Sequence, residues 1–472
     1  MLNRHLLYGL FLACCPLGAA AQSRDFLPEK TDSVLLAGLS AKYQEQYKRE
    51  LTQLPGVNKK DFQELYGERW KSIKARFDAQ EIYTAAAAQQ YLDALAGEIV
   101  KANAVLQDHP FRCYFSRSYI PNAEYVGEGI ILVNMGLFQR LHNENEAVFI
   151  LCHEIAHYLL RHQENSMDKY VAMINSEETQ AALRKIKNTE YRKKEQLESL
   201  VKGLSFDSRR HSRDHEAQAD SMGLELMRHT SFDPAGALTT LALLDGIDKD
   251  DFDTDAFLQE TFNAKEYPFQ KKWLHRETGL LGGFAQVQDE EMSDSLKTHP
   301  SCKLRIQLLT PMIVVGAGKT PSGTGGKTSV APSGTAGHGY GLNPKKFAEL
   351  QELFRYEVIE YAYVSSDYTE SLFLSLELLQ ARPADGYLVA NVGRLLNGLY
   401  QAQRDHRLGK VVDLPSPGYP TNYNVLLQFV QNLHLEDLAA ISYYFLSAWY
   451  PQLDYSIVFK SAYAESIRLV KQ

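Results

Sequence analysis

The stretch Leu151-Cys152-His153-Glu154-Ile155-Ala156-His157 sets two histidines four residues apart, with a glutamate directly after the first. On a helix of 3.6 residues per turn the two imidazoles project within about 40° of one another and can reach a single metal ion. Glu154 is turned by about 100° from His153, so its carboxylate can act on a water at that ion instead of competing as a ligand. By composition alone such a pattern arises in roughly one chain in thirty, so it needs support from elsewhere. The bland alternative is an amphipathic helix with its histidines on the wet face. Against it, Phe149, Ile150 and Leu151 precede the motif and Tyr158, Leu159 and Leu160 follow it. Charged and imidazole groups in such surroundings require partners.

A partner is available downstream in Glu216-Ala217-Gln218-Ala219-Asp220, again with a spacing of four on a second expected helix. His153, His157 and Glu216 would form a two-histidine, one-carboxylate site for one Zn2+ ion, leaving the fourth position to water, with Glu154 as general base. Asp220, one turn beyond Glu216, could accept the remaining ring N–H of a ligand histidine and fix its tautomer. A three-histidine arrangement is excluded, because Leu160 stands where it needs Gly and Gln163 where it needs His. His162 falls one position short of that third ligand and reads as a cation at the helix end. Arg213, His215, His211 and His299 are candidates to steady a developing oxyanion, each weighed against salt-bridging or simple exposure. Asp251, Asp253 and Asp255 imitate a calcium loop, but Ala256 and Phe262 replace its Gly and Glu, so the run reads as a solvated loop.

The elements that must carry these residues can be read around them. Residues 86–104 have helical periodicity, and Phe111–Tyr119 and Gly129–Val133 cluster β-formers around the turn-like Gly127-Glu128-Gly129, giving a small sheet between helices. Asn143, with Glu146 three residues on, caps the helix that bears the motif. Residues 163–214 hold 20 charges in 52 positions and read as a solvated helical excursion. Asp233-Pro234 opens a further helix. Residues 316–343 contain 18 Gly, Ser, Thr or Pro in 28 positions, a flexible linker. Its two Gly-Lys-Thr triplets lack the upstream glycine and the following helix of a phosphate loop. The tail, 344–472, reads as successive amphipathic helices rich in Leu and Tyr.

A net charge of −8 gives no support to nucleic-acid binding. Arg4 and His5, the apolar run Leu6–Leu12 and Ala19-Ala20-Ala21 have the layout of a secretory signal over residues 1–21. No later segment is apolar enough to span a bilayer, so a periplasmic or secreted location is expected, the alternative being a lipoprotein anchored through Cys14. Cys113, Cys152 and Cys302 remain, an odd number that implies no disulfide framework.

Taken in order, the motifs resemble the zinc metallopeptidase family that includes the CAAX prenyl protease and HtpX. The resemblance spans 86–312. Besides the His-Glu-x-x-His run it rests on Asn122-Ala123, Gly136-Leu137, Arg161-His162, Ser212-Arg213, Glu216, Ala219-Asp220, Gly223, Asp233-Pro234, Thr298-His299-Pro300 and Arg305-Ile306. It implies a mainly α chain with a small β-sheet, an α+β gluzincin-like zincin domain followed by a C-terminal α-helical domain. The division is a helical segment at 22–85, the peptidase at 86–312, the linker at 313–343 and the tail at 344–472. The layout is similar to the soluble periplasmic branch of the β-barrel assembly-enhancing protease type, whose tail carries tetratricopeptide-like repeats. Tyr368, Ser371, Leu378 and Pro383 echo one such repeat, and a plain helical bundle explains the tail as well. The resemblance further implies His299 as a removable fourth metal ligand, against a histidine merely preceding a turn proline. It implies an endopeptidase of envelope quality control acting on protein or peptide substrates. The alternative is a chaperone or assembly adaptor that engages envelope partners through the C-terminal helices.

Overall fold

A computed structural model describes residues 26–187, 213–247, 252–274, 302–316, 341–416 and 418–472. The chain is mainly helical around one three-stranded sheet. The sheet comprises β1 (Arg112–Ser116), β2 (Ala123–Gly127) and β3 (Ile130–Asn134) in the order β1-β3-β2. β1 runs parallel to β3, with Tyr114 opposite Leu132, and β2 runs antiparallel to it, with Ala123 opposite Val133. Every residue of β3 is buried, as its unbroken run Ile130-Ile131-Leu132-Val133 demands of a strand covered on both faces.

One covering layer comes from α1 (Ser33–Thr52) and α2 (Lys59–Asp78). Their Leu36, Tyr43, Trp70, Ile73 and Phe77 pack on Tyr114, Val126, Ile130 and Leu132. The opposite face, with Cys113, Phe115, Ile131 and Val133, joins the main core beneath α3 (Ala86–Ala102) and α5 (Glu144–Leu159). Between β3 and α5 lies the short α4 (Met135–Phe138). The charged excursion begins as α6 (His162–Ile174) and α7 (Glu177–Lys187), and its continuation through 212 lies outside the described residues. It is followed by α8 (213–228), α9 (Gly236–Gly246), α10 (Thr254–Thr261) and α11 (Cys302–Gly316). Two local expectations shift. Asp233-Pro234 forms a turn and α9 starts two residues later, while Asp253 leaves the expected loop to cap α10 by accepting from Ala256 N at 3.1 Å.

The tail consists of α12 (Pro344–Val364), α13 (Tyr368–Ala381), α14 (Gly386–Arg404), α15 (Thr421–Asn432), α16 (Leu435–Leu453) and α17 (Ile457–Leu469). It does not stand apart. Phe354, fully buried, meets Phe115 at 4.8 Å and Phe138 at 5.5 Å between ring centres. The buried Glu144 accepts from Asn343 N at 3.0 Å and from Tyr91 Oη at 2.7 Å, tying the start of α12 to α3 and α5. A Gly-rich connection governs covalent freedom, whereas docking follows the apolar stripe of α12, which linker composition does not report. The described residues contain no helix long and apolar enough to cross a membrane. Cys113, Cys152 and Cys302 are buried, and no disulfide joins them to one another.

Because α12 shares its core with the sheet, Phe354→Ala should cost roughly 3–5 kcal/mol. Urea unfolding followed at Trp70 in α2 and at Trp449 in α16 should then show both transitions moving together. Loss of the Trp449 transition alone would mean that the tail folds independently.

Candidate metal centre

Helix α5 is set by its first turn. The Asn143 side chain accepts from Asn145 N and Glu146 N at 3.0 and 3.3 Å, leaving few orphan donors. Glu146 turns back one residue further than a simple capping box, accepting from His142 N at 2.7 Å. From Ala147 to Ala156 every residue is buried, so the helix runs through the core with polar groups that must be answered by other elements.

The answering element is α8. It crosses α5 at Gly223, where an added Cβ would stand 3.0 Å from His153 N and 3.1 Å from His153 Cα. This approach lays Glu216 and Asp220 against the two histidines. His153 Nε2 and His157 Nε2 face each other at 3.1 Å. Glu216 Oε1 lies 3.4 Å from His157 Nε2, and its Oε2 lies 3.6 Å from His153 Nε2. One ligand atom from each of the three residues falls within 4.8 Å of the others.

Each imidazole is held from behind. Asp220 Oδ1 lies 3.0 Å from His153 Nδ1. Arg305 on α11 grips the same carboxylate as a fork, Nε donating to Oδ2 at 2.7 Å and Nη2 to Oδ1 at 2.6 Å, while its Nη1 lies 3.1 Å from Glu216 Oε2. Behind His157, His162 Nδ1 is 2.9 Å from His157 Nδ1, and His162 Nε2 is 3.1 Å from Gln218 Oε1. With His162 Nε2 donating to that amide oxygen, its Nδ1 must accept the Nδ1–H of His157. The lone pair of His157 Nε2 is thereby left facing the centre.

The electrostatics agree. Burial lowers the His153 pKa, but Asp220 and Glu216 outweigh it and push the ring up to about 10, so the pocket favours positive charge. Burial raises the Asp220 pKa, yet hydrogen bonds from Arg305 and His153 hold it below the ordinary value. Burial and the neighbouring His157 bring His162 down to about 4, keeping it a neutral acceptor. Two imidazole nitrogens and a carboxylate, preset in this way, fit a borderline divalent cation. Glu154 turns away from the three and accepts from Tyr125 N of β2 at 2.8 Å.

Residues 86–313 match Peptidase family M48. This segment belongs to that family. The match supports a metallopeptidase function, and the M48 domain runs from the first residue of α3 into α11, enclosing His153, Glu154, His157, Glu216, Asp220 and Arg305. The α1–α2 hairpin and the tail lie outside it. No curated protein matches the chain.

The remaining candidates of the M48 domain fall as follows. Arg213 is exposed at the start of α8. His215 is buried and stacks on His162, with ring centres 4.2 Å apart and planes 7° apart. His211 and His299 lie outside the described residues. His162 departs from its expected place at the end of α5. Arg161 takes a left-handed conformation with φ of 52°, and His162 begins α6 with its ring turned inward. Helix-end reasoning could not see that turn, nor that Gln218 would reach His162. Arg305 was visible only as a motif letter, since its role depends on α11 packing beside α8.

Two outcomes follow from the supports. Asp220→Asn should weaken metal binding roughly 10–100-fold in a competitive chelator titration, because His153 loses its anionic brace. Gly223→Val should also lower metal affinity, since the helices must separate for its side chain. Unchanged affinity in Gly223→Val would show that the crossing does not set the ligand spacing.

Proposed function

We propose that this protein is a zinc-dependent endopeptidase that cleaves extended segments of exported proteins, with Glu154 as general base and His153, His157 and Glu216 as the metal ligands. The observation that carries the reading is the convergence of both Nε2 atoms on the Glu216 carboxylate while Glu154, one residue from a ligand, keeps its own carboxylate on the edge strand. Bound zinc would supply Lewis acidity to the scissile carbonyl and its water. Glu154 would take a proton from the attacking water and return it to the leaving amine. Asp220 and His162 would hold the two imidazoles in the Nε2-presenting tautomer throughout.

Strand parity supports an extended substrate. Asn122 O accepts from Asn134 N at 3.0 Å and therefore faces β3, whereas Tyr125 N faces Glu154. Ala123 and Tyr125 thus turn their peptide groups toward the helix that bears the motif, along an edge of β2 that no described strand pairs, where a peptide can add as a strand. At the Ala123 end, Leu137, Phe149, Leu241 and Leu244 line a small, mostly apolar recess that also touches His153, Glu154 and Arg305. Export is supported by the signal-like N-terminus, and a role in envelope quality control rests on the family resemblance of the motifs.

Glu154→Gln should retain the metal, measured by elemental analysis, while casein or peptide cleavage falls roughly 10²–10⁴-fold. Chelation should abolish cleavage by the parent protein and zinc should restore it. Undiminished cleavage by Glu154→Gln would rule out Glu154 as the base.

A further inference from the structure

At the other end of β2 the edge strand opens into a cleft of about 620 Å³. One wall is the α1–α2 hairpin, which precedes the M48 segment, and the other is the junction of α5 and α6. Tyr66, Tyr125 and Tyr158 offer aromatic surfaces, with the last two rings 5.3 Å apart. Glu50, Glu164 and Asp168 supply carboxylates, and Arg161 is an exposed opposing charge.

The chemistry of this cleft is displayed by a cation already beside it. Arg69, with only 5% of its side chain exposed, reaches Glu128 at 3.0 Å and Glu164 at 3.3 Å, also pairs with Glu50, and lies 4.4 Å over the Tyr66 ring. One guanidinium therefore serves three carboxylates. Glu164 Oε2 is buried and has no hydrogen-bond partner among the described residues, and Asp168 stands exposed one turn further on. Negative charge is left over beside flat aromatic faces, an arrangement that attracts a further cation. Tyr125 lines the cleft and also donates to Glu154, so the cleft is continuous with the strand edge at the reaction centre. At about 3.3 Å of rise per residue, a side chain entering it would sit roughly two to four residues from the bond cleaved.

We propose that the N-terminal hairpin and α6 together form a substrate subsite for a lysine or arginine side chain, placed two to four residues from the scissile bond. The inference rests on the peptidase reading for its position along the substrate. Its recognition chemistry is independent of turnover.

The test uses the full chain loaded with zinc and quenched fluorescent peptides that share one core, with lysine, norleucine or glutamate moved one position at a time. At one position in the stated window, lysine should raise kcat/KM over norleucine by roughly fivefold to thirtyfold, with glutamate below both and the advantage shrinking as salt rises. In Asp168→Asn, an exposed change, and in Glu164→Gln, the lysine-to-norleucine ratio should move toward one, with thermal melting confirming the fold. A ratio near one at every position, or one that neither variant alters, overturns the subsite. If no peptide is cleaved, the peptidase reading fails by itself, and fluorescence anisotropy of the labelled lysine and norleucine peptides decides the subsite. Tighter binding of the lysine peptide, reduced in Asp168→Asn, sustains it, and equal binding refutes it.

Discussion

The distance between α5 and α8 at Gly223 is the constraint on which the centre depends. Two histidines on one helix supply only two corners of a site, and the third must come from a backbone held against theirs. A Cβ at Gly223 would press on the His153 backbone at 3.0 Å, so the helices meet with nothing between them. From that contact Asp220 stands one turn away and Glu216 about two, which places one carboxylate behind His153 and the other in front. The same short distance lets Arg305 touch both carboxylates from α11.

Burying so many ionisable groups is costly unless their charges cancel. Glu154, Glu216 and Asp220 bring three negative charges to the centre, and Arg305 returns one positive charge. With neutral imidazoles a deficit of two remains, which a single divalent cation would neutralise. The upward push on the His153 pKa is the same deficit seen from one ring. His162 contributes no charge and so can brace His157 without adding to the imbalance, where a second aspartate would have left the centre more negative. The two braces differ in kind because His153 lies deeper than His157, whose side chain is 17% exposed.

How much of this could be read beforehand follows from the range of the interactions. His153, Glu154 and His157 lie on one helix, so their spacing is local and the 3.6-residue period reveals it. Glu216 and Asp220 share a second local pattern, and the chemistry of a two-histidine, one-carboxylate site pairs it with the first. The roles of His162 and Arg305 are not legible in this way, because their partners come from other elements, across a left-handed turn at Arg161 and from a helix some 85 residues beyond Asp220. At the level of the fold, the mainly helical chain with one small sheet and the helical tail were legible from periodicity. The seating of α12 on Phe115 and Phe138 was not, since a linker rich in Gly and Ser says how freely two parts can separate and nothing about whether their apolar faces match.

The sheet explains why elements beyond the M48 segment matter to the centre. β2 is an edge of a sheet only three strands wide, which would be marginal with one face bare. The α1–α2 hairpin covers that face through Trp70, Ile73 and Phe77, while α12 packs on Phe115 from the other side. Among the described residues no strand pairs with the outer edge of β2, beside α5. The hairpin packs on the sheet that holds Glu154 through Tyr125 N and also lines the cleft beside Tyr125. In the proposed reading, support of the strand and recognition along it would be two consequences of one packing contact.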